Sequence, residues 1–140
     1  MYQHGLVLPV LALVAWSLVI WAWMVLDRVS VMRREKIHPQ KAQRTATLEL
    51  PGKSLWVSDN YNHLMEQPTI FYAACLGAEL ARQGDAINTG LAWTYVAIRI
   101  VHSLLQVTTN VVMQRFYAFV LSTLVLAVLV GRTLWGMLAA

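Results

Sequence analysis

The apolar residues of this chain come in blocks, and each block is close to the roughly 20 residues that a helix needs to cross a bilayer. A hydrocarbon core offers no water to unpaired backbone groups, so segments that enter it are helices or strands of a closed barrel. Continuous apolar blocks of this length, without strict alternation, read as helices. Of the 140 residues, 58% are hydrophobic and 13% charged. The expected class is therefore all-α, an integral membrane four-helix bundle forming one domain over 1–140. Its helices are predicted at about 5–26, 60–82, 91–113 and 116–135.

The first block, from Gly5 to Leu26, has no Lys or Arg before it and ends in Asp27, Arg28, Arg33, Arg34 and Lys36. That is a stop-transfer pattern, and the block reads as a retained helix continuing toward Pro39, with a cleaved signal as the alternative. The polar segment 27–59 carries Arg28, Arg33, Arg34, Lys36, Lys41, Arg44 and Lys53, seven of the eleven Lys and Arg residues. A net charge of +4 gathered in one segment is a topology signal rather than a nucleic-acid footprint. The positive-inside rule places this segment in the cytoplasm, against lipid headgroups, with both termini outside. Pro39, Pro51 and Gly52 interrupt any continuous helix through it. Ser58, Asp59 and Asn60 are candidate caps for a second helix running to Arg82. Gln83, Gly84, Asp85, Asn88 and Gly90 suit an outer turn, and Gln114 and Arg115 an inner one. Trp21, Trp23, Trp93 and Trp135 fall near proposed helix ends, as interfacial aromatics do. Cys75 is the single cysteine, so an intrachain disulfide is excluded, and its apolar neighbours predict a buried thiol.

Polar side chains inside membrane helices are costly and face the bundle interior. The third helix carries Arg99, His102, Gln106 and Asn110 at spacings of three, four and four, which keeps them on one face. This stripe either supplies interhelical hydrogen bonds or lines a wet cavity. Glu79 is a candidate partner for Arg99. No metal is expected, because His4, His38 and His63 fall outside ligand spacing from His102. At the start of the second helix, His63 and Glu66 are one turn apart, as are Asn62 and Glu66. The predicted topology brings this end to the same leaflet as Asn110 and Arg115. A carboxylate, a cation and amides converge there, which makes it a candidate site.

At these residues the chain resembles the MAPEG family, the membrane-associated proteins of eicosanoid and glutathione metabolism, and is most similar to its uncharacterised bacterial members. The resemblance spans nearly the whole chain. His63-Leu64-Met65-Glu66-Gln67-Pro68, then Phe71 and Tyr72, match the family's Asn-x-x-Glu followed by Pro. Arg99, His102 and Arg115 match its Arg-x-x-His with a further Arg sixteen residues after the first. The resemblance implies a homotrimer in a bacterial inner membrane, with glutathione bound between subunits as co-substrate. It implies that Arg115 stabilises the thiolate, because a fixed cation lowers a thiol pKa. It implies that Glu66 helps hold the peptide part, and that Arg99 and His102 line or brace the cavity.

There are departures. His63 stands at the usual asparagine, with Asn62 adjacent, and Asp59 at an arginine of glutathione-binding members. Gln106 and Phe119 stand at tyrosines of the prostaglandin-synthesising branch. Two functions follow. One is a glutathione- or other thiol-dependent transferase or peroxidase acting on lipophilic substrates. Arg115 is then catalytic, and Asn62, His63, Glu66, Arg99, His102, Gln106 and Asn110 form the binding set, with Arg28 or Arg33 supplying charge lost at Asp59. The other is a non-catalytic lipid-binding protein or accessory subunit of a larger membrane complex. A small transporter using the Arg99–Asn110 stripe is a third reading, poorly matched by four uninterrupted spans.

Overall fold

A computed structural model describes residues 5–38 and 52–139. The expectations placed on His4, Pro39, Lys41, Arg44 and Pro51 lie outside these residues. The first apolar block, read as a helix continuing past Leu26 toward Pro39, forms α1 (Val7–Arg34). The second predicted helix is two: α2 (Gly52–Met65) and α3 (Gln67–Leu80). The third and fourth are α4 (Ala86–Thr108) and α5 (Val112–Leu138). Five helices among the described residues thus make four rods, and the chain is an all-α integral membrane bundle. Among the described residues, α1 and α5 are each long and apolar enough to cross a membrane by length and composition alone.

The break between α2 and α3 has a local cause. Glu66 leaves helical geometry, at φ −89° and ψ −96°, and Pro68 sits in the first turn of α3. Proline cannot donate to the preceding turn, and its ring clashes with the carbonyl four residues back. Ser58, Asp59 and Asn60, predicted as caps, lie inside α2, which already starts at Gly52. Ser58 and Asn60 turn inward while Asp59 is exposed. The outer turn is shorter than predicted because Asp85 caps α4, its side chain accepting from the Asn88 amide at 2.8 Å. The inner turn falls before Gln114 and Arg115, which belong to the first turn of α5.

Helix α4 packs against α1, α2 and α5, and α3 packs against α1 and α5. Short α3–α4 and α4–α5 turns make neighbouring rods antiparallel. The C-terminal ends of α1 and α4 therefore share one end of the bundle with the N-terminal end of α5. The apolar core includes Leu6, Leu13, Ile20, Phe71, Cys75, Tyr95 and Leu129, all fully buried, with Phe71 stacked on Tyr95 at 4.3 Å between centroids. Lipid is as apolar as leucine, so helix association in a membrane leans on close packing and polar contacts. One such contact closes the far end, where the Leu6 amide donates to Glu79 at 3.1 Å. The carboxylate there meets the positive N-terminal end of α1.

Candidate functional site

The α2–α3 break frees backbone where α4 carries its cation. In a continuous helix the His63 carbonyl would accept from the Gln67 amide. Here it accepts from Arg99 Nη2 at 2.8 Å, while Arg99 Nη1 makes a long 3.5 Å contact to Gln67 Oε1. The Arg99 guanidinium is also 6.0 Å from the Phe119 ring centroid, at the outer range of a cation–π contact. Arg99 is 1% exposed, so the broken helix supplies the polar partners that lipid cannot. The predicted Arg99–Glu79 pairing is not what forms. Gln67 and Glu79 are twelve residues apart on α3, about 18 Å along its axis, and Glu79 meets Leu6 instead.

Gln67 gathers several groups around the break. Its Nε2 donates to Thr123 at 2.6 Å, and its Oε1 receives long contacts from the Tyr95 and Ser122 hydroxyls, at 3.4 and 3.5 Å. Nearer α1, Asn60 Nδ2 and the Trp16 indole both donate to the Ser103 hydroxyl, at 2.7 and 3.0 Å. None of Gln67, Asn60 or Ser103 was among the predicted site residues. Ser103 had a readable signal, since it lies one turn beyond Arg99 on the same face.

A cavity of about 250 Å³ opens beside Arg99, lined by His63, His102, Val112, Arg115, Phe116 and Phe119. The rings of His63 and His102 meet edge-to-face, 6.1 Å apart. His102 Nδ1 lies 3.1 Å from the Arg115 carbonyl, which can only accept, so Nδ1 carries the hydrogen. His63 Nδ1 lies 3.2 Å from a Glu66 carboxylate oxygen, and the same logic applies. In both imidazoles Nδ1 is thereby the donor, and in the neutral ring Nε2 is the acceptor. Arg115 is held by Asn110 Oδ1. Asn110 adopts a left-handed conformation, φ 51°, and closes α4 through its amide to the Leu105 carbonyl at 2.8 Å. Asparagine tolerates that conformation better than most residues.

His63, His102 and Arg115 thus line one cavity, with Glu66, Asn110 and Arg99 holding them in place. The other predictions fare differently. Asn110 is not on the α4 stripe, because the helix ends at Thr108. Asn62 is exposed and does not line the cavity. Gln106 is buried and does not line the cavity, and neither amide atom has a hydrogen-bond partner among the described residues. Arg115 Nε and His102 Nε2 are likewise buried without a partner among the described residues. Among those residues no group of three or more His, Cys, Asp or Glu could hold a metal.

A model of the MAPEG family matches residues 6–135. No curated protein and no solved structure matches the chain.

Proposed function

The chain belongs to the MAPEG family, and from that premise we propose that it is a thiol-dependent transferase or peroxidase using glutathione on lipophilic substrates. The observation that supports this reading most is the cavity that joins Arg115 and two acceptor imidazoles to the apolar wall of Val112, Phe116 and Phe119. Glutathione suits the polar side, because Arg115 Nε is a buried donor without a partner among the described residues and favours an anion. The thiol supplies a sulfur nucleophile. Arg115 stabilises negative charge on that sulfur, and Asn110 keeps the guanidinium in position. Glu66 orients His63, whose Nε2 takes the thiol proton. Phe116, Phe119 and Val112 hold the lipophilic partner and exclude water.

At about 250 Å³ the cavity is smaller than the roughly 300–1,000 Å³ of most ligand sites. A homotrimer in a bacterial inner membrane, with a neighbouring subunit completing the site, fits that size. The test is thiol conjugation or hydroperoxide reduction by the purified full chain, wild type against Arg115→Ala. The expected result is a kcat/KM at least about 100-fold lower in the variant. A wild type that never exceeds the uncatalysed rate with several thiols and electrophiles would overturn the reading.

The exposed carboxylate of Asp59 favours a second reading. An anion on that face of α2 repels the carboxylates of glutathione, and the apolar wall alone suits a lipid tail. The chain would then be a non-catalytic lipid-binding protein or an accessory subunit of a larger complex. A co-purifying lipid or foreign subunit, together with no glutathione binding by calorimetry, would support it.

A further inference from the structure

Helix α1 is longer than its membrane needs. Its 28 residues extend about 42 Å, against about 30 Å of hydrocarbon. A surplus at its C-terminal end would carry Val29, Met32 and Arg33 into the headgroup zone. The helix then closes in a left-handed turn at Lys36, φ 52°. The Ile37 amide donates to the Met32 carbonyl at 2.9 Å, and the Lys36 amide to the Arg33 carbonyl at 3.4 Å. Glycine is the usual residue at such a position, and lysine is disfavoured there. The turn folds Ile37 back over the last helical turn and borders an open cleft of about 350 Å³ lined by Val29, Met32, Arg33, Lys36 and Ile37.

The cleft combines three apolar side chains with two cations. Glu35, the carboxylate on this turn, pairs with Arg34 at 3.0 Å. The Met32 and Arg33 carbonyls, which would repel an anion, are occupied by the turn. We propose that this cleft binds the headgroup of an anionic glycerophospholipid. The phosphodiester would lie on Arg33 and Lys36, and the start of an acyl chain along Val29, Met32 and Ile37. A free phosphate has no use for the apolar wall. A zwitterionic choline lipid would bring its ammonium against two cations. The inference is independent of thiol chemistry, because it concerns a different cavity.

The experiment is native mass spectrometry of the full chain from mild detergent, after exposure to equimolar phosphatidylglycerol and phosphatidylcholine. The wild type should retain phosphatidylglycerol preferentially. Each cation removed, in Arg33→Gln and Lys36→Gln, should cut the preference by up to about fivefold. Arg82 is the control, since it closes α3 in the same left-handed way, φ 57°, with no part in the cleft. Arg82→Gln should leave the preference unchanged. Lys36→Gly guards against misfolding, because glycine suits the turn while removing the charge. It should lose preference with no drop in melting temperature. Equal retention of both lipids by the wild type would overturn the proposal. So would equal loss in Arg82→Gln, or displacement of phosphatidylglycerol by soluble glycerophosphate.

Discussion

Ser103 has two donors converging on one hydroxyl, Asn60 from α2 and Trp16 from α1. The serine therefore ties three helices at a point where lipid provides no alternative partner. Interhelical hydrogen bonds in membranes are worth about 0.5–2 kcal/mol each. Ser103→Ala removes both and leaves one buried and one half-buried donor unsatisfied, so a loss of about 1–3 kcal/mol is expected. Thermal unfolding in detergent, read by circular dichroism, checks this. In a double-mutant cycle with Asn60→Ala the effects should be less than additive, because the two side chains share one contact. Arg99 teaches a related lesson. Its position on an inward stripe was legible from spacing. Its partner was not, because that partner is a main-chain carbonyl exposed by a helix break. A carboxylate is visible in a sequence, and a freed carbonyl is not. The same limit hid Gln67, whose role depends on where the break directs it.

The elements were legible in number and only partly in extent. Hydrophobic blocks located four rods, but they could not locate ends outside the hydrocarbon, where the apolar pattern stops and helical hydrogen bonding continues. Hence α1 reaches Arg34 and α2 begins at Gly52. Asp85 illustrates an end set by a single side chain. It accepts from the Asn88 amide and pairs with Arg132 of α5, which also donates to Asn88 Oδ1 at 3.0 Å. The Asn88 amide first, and then Arg132, hold the Asp85 carboxyl below its ordinary value. The sign follows from that depression. The contribution to stability is present at pH values above the ordinary carboxylate range and disappears as pH falls through the lowered value. Asp85→Ala should cost about 1 kcal/mol at neutral pH. Asp85→Asn retains a capping oxygen but should flatten the acid side of the profile. Melting temperature against pH, in wild type and both variants, checks these expectations.

At the scale of the molecule, both cavities lie toward the same end of the bundle. The α1 cleft lies at that helix's C-terminal end, and the Arg115 cavity lies where α4 turns into α5. The opposite end is closed by Glu79 on Leu6 and by Gln83 packed against Gly136, where a Cβ would meet the Gln83 amide at 2.5 Å. Arg28, Arg33, Arg34 and Lys36 cluster at the cavity end, and the positive-inside rule would place that end in the cytoplasm. The prediction is that Glu35→Cys reacts with a membrane-impermeant maleimide only after permeabilisation, while Met137→Cys reacts in intact cells. Residue 35 is exposed on the α1 turn and residue 137 is 54% exposed at the other end, so both are reachable. Cys75 is fully buried and should stay silent. The reverse labelling would leave every contact in the bundle intact. It would nevertheless turn the Arg115 cavity away from the cytosol, where reduced thiols are kept, and so remove the premise of thiol-dependent catalysis.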